Sequence, residues 1–325
     1  MKQISRGILA FDTSNYTTSA AVVDDSRNIV VDIRKGLEVK QGDRGLRQSY
    51  ALFQHIENLP FLIERVFQEV NRDGIKAVAV SNKPRPLKDS YMPVFRGGEG
   101  FARAAAAALG VPLFCFSHQE GHLAAAGYGT SLERVDGEYL AYHLSGGTCE
   151  LLLVQGERIE IIGGTKDISF GQLIDRAGVA MGMQFPAGSR MDAIALKIKG
   201  CNLPAEKNPF KPIALDGLRF NVSGIETQFI RALKENGGEE EREFLVYWLF
   251  RSMLDCLAKL TVRAAETRKN AKILFSGGVS SSRFLREGLA ESMEKEPFDL
   301  GFGMPQLSSD NAVGIALLGG QALWR

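Results

Sequence analysis

Two histidines spaced for metal binding, His118 and His122, are the residues of this sequence that are best suited to chemistry. On a helix, positions i and i+4 lie one turn apart on the same face, so both imidazoles can reach one ion. Residues 111–116 are apolar and predict a strand before the pair. The histidines would then lie at the carboxyl end of a strand, where open α/β sheets bind their ligands. A third ligand is needed, and the best candidate is Asp310, in a polar turn before the last apolar helix.

The same pair also permits a structural interpretation, in which His118 caps the helix and His122 is a core residue with satisfied hydrogen bonds. A metalloprotease is weakly supported, because the H-E-x-x-H signature places its glutamate directly after the first histidine, and this sequence has Gln119 there. Glu120 would lie about 200° around the helix from His118 and would point away from an ion held by the histidines. The spacing therefore predicts a metal site that lacks a protease's general base.

The composition predicts an ordinary globular protein without a strong overall electrostatic field. The 325 residues include 45% hydrophobic and 24% charged ones, and the length favours two domains. The net charge is +1, so nucleic acid would have to bind through a local basic patch. Four cysteines stand far apart without a C-x-x-C pair, which is typical of a reducing compartment. With no apolar signal core near residue 1 and no apolar run long enough to span a bilayer, we expect a cytoplasmic protein without a membrane partner.

The order of predicted elements repeats in the two halves of the chain. Each half begins with three strands joined by short turns and continues with a helix. The actin, sugar-kinase and heat-shock ATPase superfamily builds its nucleotide cleft in this order. We therefore predict a duplicated actin-like α/β fold with a nucleotide and metal cleft between two halves; the alternative is two ordinary hairpins. The strands are expected at residues 7–11, 19–23 and 29–33 and again at 137–143, 150–155 and 159–162, with helices at 50–71 and 172–181.

The repeat also predicts the domain boundaries. The first half would span residues 1–135, with residues 305–325 packing back onto it, and the second half residues 136–304. The turns at 12–15 and 145–148 would face each other across the phosphates of a nucleotide, because glycine turns let backbone N–H groups approach an anion. Residues 82–98 predict a loop rich in proline, lysine and arginine, with a helix at 101–109 after it. A strand at 272–275 leads through Gly277 and Gly278 into a helix, which suits a ribose or an adenine.

Five motifs occur in order along nearly the whole chain. They are H-x-E-G-H at 118–122, Ser-Gly-Gly-Thr-Cys at 145–149, Asp167, Gly171, Asp175 and Arg176 followed by Pro186 and Gly188, Gly-Gly-Val at 277–279, and Ser-Asp-Asn-Ala at 309–312. Together they resemble the Kae/TsaD family, once described as O-sialoglycoprotein endopeptidases. Members of that family transfer threonylcarbamoyl from its adenylate to N6 of an adenosine next to the tRNA anticodon.

The resemblance implies ligands, partners and a role for each matching residue. His118, His122 and Asp310 would bind one ion, iron or zinc, to polarise the carbamoyl carbonyl while the tRNA amine attacks and AMP leaves. The nucleotide ligand would be threonylcarbamoyl-AMP or ATP. The partners would be tRNA, held through basic loops at 34–47 and 83–96, and other threonylcarbamoyladenosine-pathway proteins, including a smaller actin-like paralogue. The residues implied in binding are Ser145, Gly146 and Gly147 for phosphate or carbamoyl oxygens, Asp175 and Asp192 for ribose hydroxyls, and Gly188 for the nucleoside. Further nucleotide-binding candidates are Asp12 in the first turn and Gly277, Gly278 and Ser282 in the turn before the helix.

Several positions depart from the family pattern and indicate a divergent paralogue. The family's cysteine-acidic-Glu-Thr turn lacks its acids at residues 15–18, and its G-P-G loop is Pro-Arg-Pro at 84–86. Its V-P-E-L-A-S-R-x-H keeps only the histidine, His55, while Thr148 and Ser282 replace a histidine and an asparagine. Three functions stay open: a tRNA threonylcarbamoyltransferase, a related carbamoyl- or nucleotide-transferring enzyme with a small-molecule acceptor, and a non-catalytic nucleotide- or metal-binding paralogue that regulates the orthodox enzyme.

Overall fold

Two β-sheets organise the chain, and each has a central strand with antiparallel neighbours on one side and parallel neighbours on the other. The computed structural model describes every residue except Met1, Asn15, 39–45, Arg134, Asp136, Glu157, Asn202, 236–237, Thr267, 269–270 and Arg325, and except the side chain of Ala205. Asn15 of the predicted phosphate turn, residues 39–45 of the first basic segment and the predicted boundary residue Asp136 thus lie outside the described residues. Of the helices described, none is long and apolar enough to cross a membrane. The chain forms two compact units, unit 1 (Met1–Tyr128 and Gln306–Arg325) and unit 2 (Gly129–Pro305).

The helices and strands follow the predicted order, in which strand, turn, strand, turn, strand and helix open each half. The strands are β1 (Gly7–Ser14), β2 (Thr17–Asp24), β3 (Ile29–Gly36), β4 (Ile75–Lys83), β5 (Leu113–Ser117), β6 (Glu138–Leu144), β7 (Cys149–Gln155), β8 (Arg158–Thr165), β9 (Leu215–Asp216), β10 (Arg219–Phe220), β11 (Lys272–Ser276) and β12 (Asp299–Phe302). The helices are α1 (Gln48–Glu69), α2 (Val94–Leu109), α3 (His118–Gly127), α4 (Phe170–Ala180), α5 (Gly188–Lys199), α6 (Ser223–Glu235), α7 (Glu239–Ala265), α8 (Arg283–Ser292) and α9 (Val313–Leu323).

In unit 1 the strand order is β3–β2–β1–β4–β5, with β1 at the centre. This strand is buried along its whole length, and its alternate side chains face two different layers. Leu9 and Phe11 pack with α1 and α2, whereas Ile8 and Ala10 pack with α9. Helix α9 therefore returns to the first sheet after the whole of unit 2, and it brings the segment that contains Asp310 with it.

In unit 2 the strand order is β12–β11–β6–β7–β8–β10–β9, so β6 occupies the place that β1 has in unit 1. Helix α7 is buried along much of its length and forms the middle of the core. Tyr142 of β6 stacks on Phe275 of β11 with ring centroids 4.9 Å apart, and its hydroxyl lies 3.0 Å from the hydroxyl of Thr261 in α7. Sequence periodicity missed β9, β10 and β12, because strands of two to four residues are too short to show alternation.

The start of α2 is the main correction to the sequence-based prediction. The predicted loop over residues 82–98 is wrong in its second half, because α2 already begins at Val94. Glycines at 97, 98 and 100 weaken the helix signal of this stretch. A Cβ at Gly98 would come within 2.6 Å of Oγ1 of Thr13, so close packing against β1 explains that glycine. The early start places Phe95 beside the metal-binding candidates, with its ring centroid 6.0 Å from that of His118.

Candidate metal centre and nucleotide-binding residues

The two candidate histidines lie on the first two turns of α3, with ring centroids 4.3 Å apart. The helix starts there because Ser117 and Glu120 form a capping box. Oγ of Ser117 accepts the Glu120 N–H at 3.2 Å, and the Glu120 carboxylate accepts the Ser117 N–H at 2.7 Å. The interpretation in which His118 caps the helix is therefore wrong. Glu120 is engaged in capping the helix, so both imidazoles are free of that role and lie side by side on one face of α3.

Asp310 lies against both histidines, as the sequence-based prediction required. Its Oδ1 is 3.3 Å from Nε2 of His122 and 3.5 Å from Nε2 of His118. One possible ligand atom from each of the three residues lies within 4.8 Å of the other two. The turn is fixed by Asn311, whose side chain makes hydrogen bonds to backbone groups on both sides of Asp310. These three residues form the candidate metal centre.

Two glycines allow α9 to approach α3 closely enough for this arrangement. A Cβ at Gly314 would come within 1.9 Å of the carbonyl oxygen of Gly121, and a Cβ at Gly121 would come within 2.7 Å of Cδ1 of Ile315. A side chain at Gly314 would push the helices apart, because the atoms that it meets belong to the backbone of α3, whereas a side chain at Gly121 would force Ile315 to move. The candidate centre thus depends on two residues that carry no chemistry themselves.

Asp12 lies behind His118 and is fully buried. Its Oδ1 is 3.0 Å from Nδ1 of His118 and also accepts a hydrogen bond from the hydroxyl of Ser81. Its Oδ2 accepts the hydroxyl of Ser14 at 2.6 Å. Both carboxylate oxygens are therefore occupied by neighbours in unit 1. This arrangement orients the ring of His118 so that Nε2 is presented to Asp310.

The carboxylates beside His118 create an electrostatic environment that favours a cation. Burial alone would lower the pKa of His118, but the carboxylates of Asp12 and Asp310 outweigh it and raise that pKa to about 10. Burial would raise the pKa of Asp310, yet His118 and His122 hold it well below its ordinary value. One fully buried carboxylate and one partly exposed carboxylate therefore favour positive charge at this point. A metal ion would satisfy that demand in place of the imidazole proton, because ligating histidines must be neutral.

His55, the histidine kept from the family's V-P-E-L-A-S-R-x-H motif, is fully buried on α1. Its Nδ1 lies 2.8 Å from Oγ1 of Thr18, which also accepts a hydrogen bond from the amide of Asn58 at 3.1 Å. Burial lowers the pKa of His55 to about 4, although Asp12 and Asp310 act in the opposite direction. At neutral pH this imidazole is uncharged. It joins α1 to the β1–β2 hairpin that carries Asp12.

The Ser145–Gly147 turn joins β6 to β7 and is closed by Ser145 and Thr148. The Ser145 N–H donates to the Thr148 carbonyl at 2.8 Å, and the Thr148 N–H donates to Oγ of Ser145 at 3.0 Å. Ser169, the N-cap of α4, donates its hydroxyl to the Gly146 carbonyl at 2.7 Å. Gly146 and Gly147 themselves are exposed. The turn is thus held from one side, and its backbone is accessible from the other.

The other nucleotide-binding candidates of unit 2 form two local groups. Oδ1 of Asp175 accepts the Ala187 N–H at 2.8 Å, which ties α4 to the loop before Gly188; burial raises the pKa of Asp175. Asp192 instead accepts the hydroxyl of Ser282 and the first N–H groups of α8.

Gly277 directly follows β11, the strand that pairs with β6, and it lies against Leu144 just before the 145–147 turn. It has φ 90°, and a Cβ there would come within 2.3 Å of the Leu144 carbonyl. Gly278 follows it and opens the short helical turn before Ser282. The structure therefore brings Asp192, Ser282 and the two glycines to the start of α8.

Sequence reasoning missed the hydroxyl groups that support the centre. The Ser117 and Glu120 pair carries a readable capping-box signal, S-x-x-E. Ser14 is two residues from Asp12, but nothing in its spacing indicates a bond to that carboxylate. Ser81 is 69 positions away and meets Asp12 only because β1 and β4 pair in parallel. Only the first of these could have been found without the fold.

The fold has clear counterparts among solved structures. HypF of T. kodakarensis gives a TM-score of 0.57 at 14% identity, over 99% of this chain and 48% of that one. Component A of the (R)-2-hydroxyglutaryl-CoA dehydratase of Acidaminococcus fermentans gives 0.53 at 13% identity, over 99% and 100%. A ROK family glucokinase of Streptomyces griseus gives 0.52 at 11% identity, over 96% and 98%. At such identities the likeness concerns the fold alone, and it confirms the predicted actin-like, sugar-kinase class.

Within that class, sequence similarity defines the family. The family model TsaD, tRNA N6-adenosine threonylcarbamoyltransferase, matches residues 38–317. A relative of that name from Geobacter metallireducens is 30% identical over 96% of this chain and 90% of its own length. Another, from Halalkalibacterium halodurans, is 29% identical over 95% and 88%. The chain belongs to the tRNA N6-adenosine threonylcarbamoyltransferase family, as the five motifs indicated.

Proposed function

We propose that this protein transfers threonylcarbamoyl from threonylcarbamoyl-AMP to N6 of the tRNA adenosine next to the anticodon. Family membership supports the reaction. The observation that carries it for this chain is the cluster of His118, His122 and Asp310, whose ligand atoms lie within 4.8 Å of one another despite the departures elsewhere. In the transfer, a C–N bond forms between N6 and the carbamoyl carbon while the C–O bond to the AMP phosphate breaks; AMP leaves with the bonding electron pair, and N6 loses one proton to solvent.

His118, His122 and Asp310 would hold one ion, iron or zinc. Two imidazole nitrogens and one carboxylate oxygen suit either metal and leave coordination positions open, as a catalytic site needs. When bound, the ion would supply a Lewis acid for the carbamoyl carbonyl. Asp12 would orient His118 from behind rather than bind the nucleotide, because both of its oxygens already accept hydrogen bonds in unit 1. This role replaces the nucleotide contact that we expected of Asp12 from its place in the first turn.

The chain's other residues would bind and orient the nucleotide, threonylcarbamoyl-AMP or ATP. Gly146 and Gly147 offer backbone N–H groups to phosphate or carbamoyl oxygens, because a turn without side chains admits close approach. Asp175 and Gly188 would contact the ribose and the nucleoside. Asp192 would bind ribose hydroxyls together with Ser282 at the start of α8, since the two side chains are hydrogen-bonded to each other. Gly277 and Gly278 would contact the nucleotide from the turn before this helix.

The partners in this proposal are tRNA and other proteins of the threonylcarbamoyladenosine pathway, among them a smaller actin-like paralogue. Two alternatives have observations in their favour. Pro-Arg-Pro at 84–86 favours a small-molecule acceptor, because the loop differs from that of the family. The absence of acids at residues 16 and 17 favours a non-catalytic paralogue. A cell-based transfer assay separates the tRNA transferase from these two alternatives.

The test is expression in cells depleted of their own threonylcarbamoyltransferase, with the modified nucleoside quantified in digested tRNA by mass spectrometry. Asp310→Ala should abolish the signal, because it removes the single carboxylate of the candidate centre. Asp255→Ala is the matched control, since this aspartate lies on α7 with 45% of its side chain exposed and pairs with Arg251. Metal content of each purified variant is measured in parallel.

Restored nucleoside that depends on Asp310 and not on Asp255 would support both the reaction and the centre. Restoration that survives Asp310→Ala would keep the reaction and refute the centre. No restoration by a soluble, metal-loaded protein, supplied together with its own pathway partners, would refute the transferase. In that case a tRNA-free acceptor or a regulatory role becomes the better explanation.

A further inference from the structure

The loop between β4 and α2, residues 84–93, is anchored at both ends beside the candidate metal centre. At its start, Lys83 pairs with Ser117, and the Pro84 carbonyl accepts the Gln119 N–H at 3.0 Å. Both contacts flank His118 in the chain. At its end, the Val94 carbonyl accepts the hydroxyl of Thr13 at 3.0 Å. A group bound by this 84–93 loop is therefore held close to the site of transfer.

The loop has a fixed internal shape and an exposed tip. Oγ of Ser90 accepts the Arg85 N–H at 3.0 Å, and the Ser90 N–H donates to the Leu87 carbonyl at 3.2 Å. Prolines at 84, 86 and 93 restrict the backbone further. Such a loop loses little conformational entropy when it binds a ligand. Its tip presents Leu87, Lys88 and Asp89 to solvent, with Leu87 53% exposed, and Tyr91 beyond them is 67% exposed.

The side chains of this loop match the chemistry of single-stranded RNA. Residues 83–91 contain three basic residues, Lys83, Arg85 and Lys88, and one acidic residue, Asp89. This local excess of positive charge contrasts with the net charge of only +1 for the whole chain. Basic side chains attract phosphates, and an exposed aromatic ring stacks on an unpaired base. A protein partner would instead favour an apolar tip without excess charge. The combination of one exposed ring with local positive charge favours RNA.

We propose that the 84–93 loop binds the anticodon loop of the tRNA acceptor, with the Tyr91 ring stacked on an unpaired base and Lys88 near a phosphate. The inference rests on the proposed function, because it takes tRNA as the acceptor. It assigns the substitution of the family's G-P-G loop by Pro-Arg-Pro to RNA recognition. The loop then contributes a binding residue that lies outside the metal and nucleotide sites.

The test measures binding of a fluorescein-labelled anticodon stem–loop RNA to the full-length protein by fluorescence anisotropy. Tyr91→Ala should weaken binding roughly 5- to 150-fold, the range for one lost base–aromatic stack, whereas Tyr91→Phe should stay within about twofold. Lys88→Ala should weaken binding at low salt and reduce the salt slope by about one. Phe67→Ala is the matched control, because Phe67 is a partly exposed ring on α1 with a basic neighbour, Arg72, and lies outside both basic segments.

The binding assay tests RNA binding by the 84–93 loop independently of the proposed transferase activity. Binding that depends on Tyr91 but not on Phe67 supports the loop, even if the transfer assay fails and the proposed function falls. Tyr91→Ala that binds RNA like the wild type overturns the inference, whether or not the wild type modifies tRNA. Equal losses in Tyr91→Ala and Phe67→Ala also overturn it, because the effect would then be a general one of aromatic rings with basic neighbours. Thermal melting of each variant confirms that the fold is intact.

Discussion

Replacing Asp12 by asparagine should weaken metal binding at the candidate centre while leaving the fold in place. Asparagine has nearly the shape of aspartate, so one of its atoms can still meet each of the hydroxyls of Ser14 and Ser81. The negative charge behind His118 is lost. That charge makes Nε2 a stronger donor to a metal and favours the tautomer in which Nδ1 carries the proton. The variant therefore tests the outer partner of a ligand and not the ligand itself.

The structure sets the size of the effect. Asp12 is fully buried and 3.0 Å from Nδ1 of His118, so water does little to screen the interaction. Loss of such a partner lowers metal affinity by roughly 10- to 100-fold, or about 1.4 to 2.7 kcal/mol. The loss of metal affinity in Asp12→Asn should be about tenfold, because the amide oxygen can still accept a hydrogen bond from the imidazole N–H. The loss in Asp12→Ala should be about 100-fold, and the loss in Asp310→Ala should exceed both because it removes a ligand.

The assay is a competition titration of Zn²⁺ between the full chain and a chromophoric chelator. Asp24→Asn is the matched control, since Asp24 is a carboxylate of the same sheet that accepts the Asn28 N–H at 2.7 Å instead of a histidine N–H. Urea unfolding of the metal-free variants checks the fold. A folded Asp12→Asn protein with wild-type affinity for Zn²⁺ would refute the role assigned to Asp12. So would an equal loss in Asp24→Asn, because the effect would then be general.

Two further predictions concern stability. The pKa of His55 falls from 6.5 to about 4 on folding, so between these pH values the unfolded chain binds the extra proton. The free energy of unfolding of the metal-free protein should therefore decrease as the pH falls from 6.5 towards 4, by at most about 3 kcal/mol. In His55→Gln, urea unfolding at several pH values should show a flatter dependence, and an unchanged slope would contradict the assignment. Gly98→Ala should lower the free energy of unfolding by about 1–3 kcal/mol through its clash with Thr13. Gly100→Ala, on the same helix with no atom within 4 Å of its Cβ, should raise it by up to about 1 kcal/mol; equal effects would refute the packing argument.

Elements with a strong local pattern could be predicted from the sequence, and those defined by distant packing could not. The long amphipathic helix α1 and the central strands β1 and β6 carry clear periodicity or apolar runs. The first turns of α2 do not, because Gly98 is fixed by contact with Thr13 across 85 positions of sequence, not by helix propensity. The two-residue strand β10 is defined by its pairing with β8 and β9, and β9 by its pairing with β10. Strands this short have no sequence pattern of their own from which they could be predicted.

The same division holds within the candidate site. His118 and His122 could be paired from their spacing, because the helical period alone puts them on one face. Asp310 could be nominated from its polar turn, although its approach depends on the contact between Gly121 and Gly314. The contact from Asp12 to His118 spans 106 positions and required the parallel pairing of β1, β4 and β5. Residue types indicate ligands, whereas the partners that orient ligands follow from topology.

The departures from the family pattern differ in what they change. Thr148 closes its turn with Ser145 through backbone groups, which a histidine would supply equally well. Ser282 still caps α8 and donates to Asp192, so the loop geometry that an asparagine would support is kept. The missing acids are different, because Tyr16 is 47% exposed and Thr17 opens β2, so neither side chain replaces their charge. Of these three departures, the one in the β1–β2 turn therefore removes charge that nothing replaces, whereas those at 148 and 282 keep the local contacts.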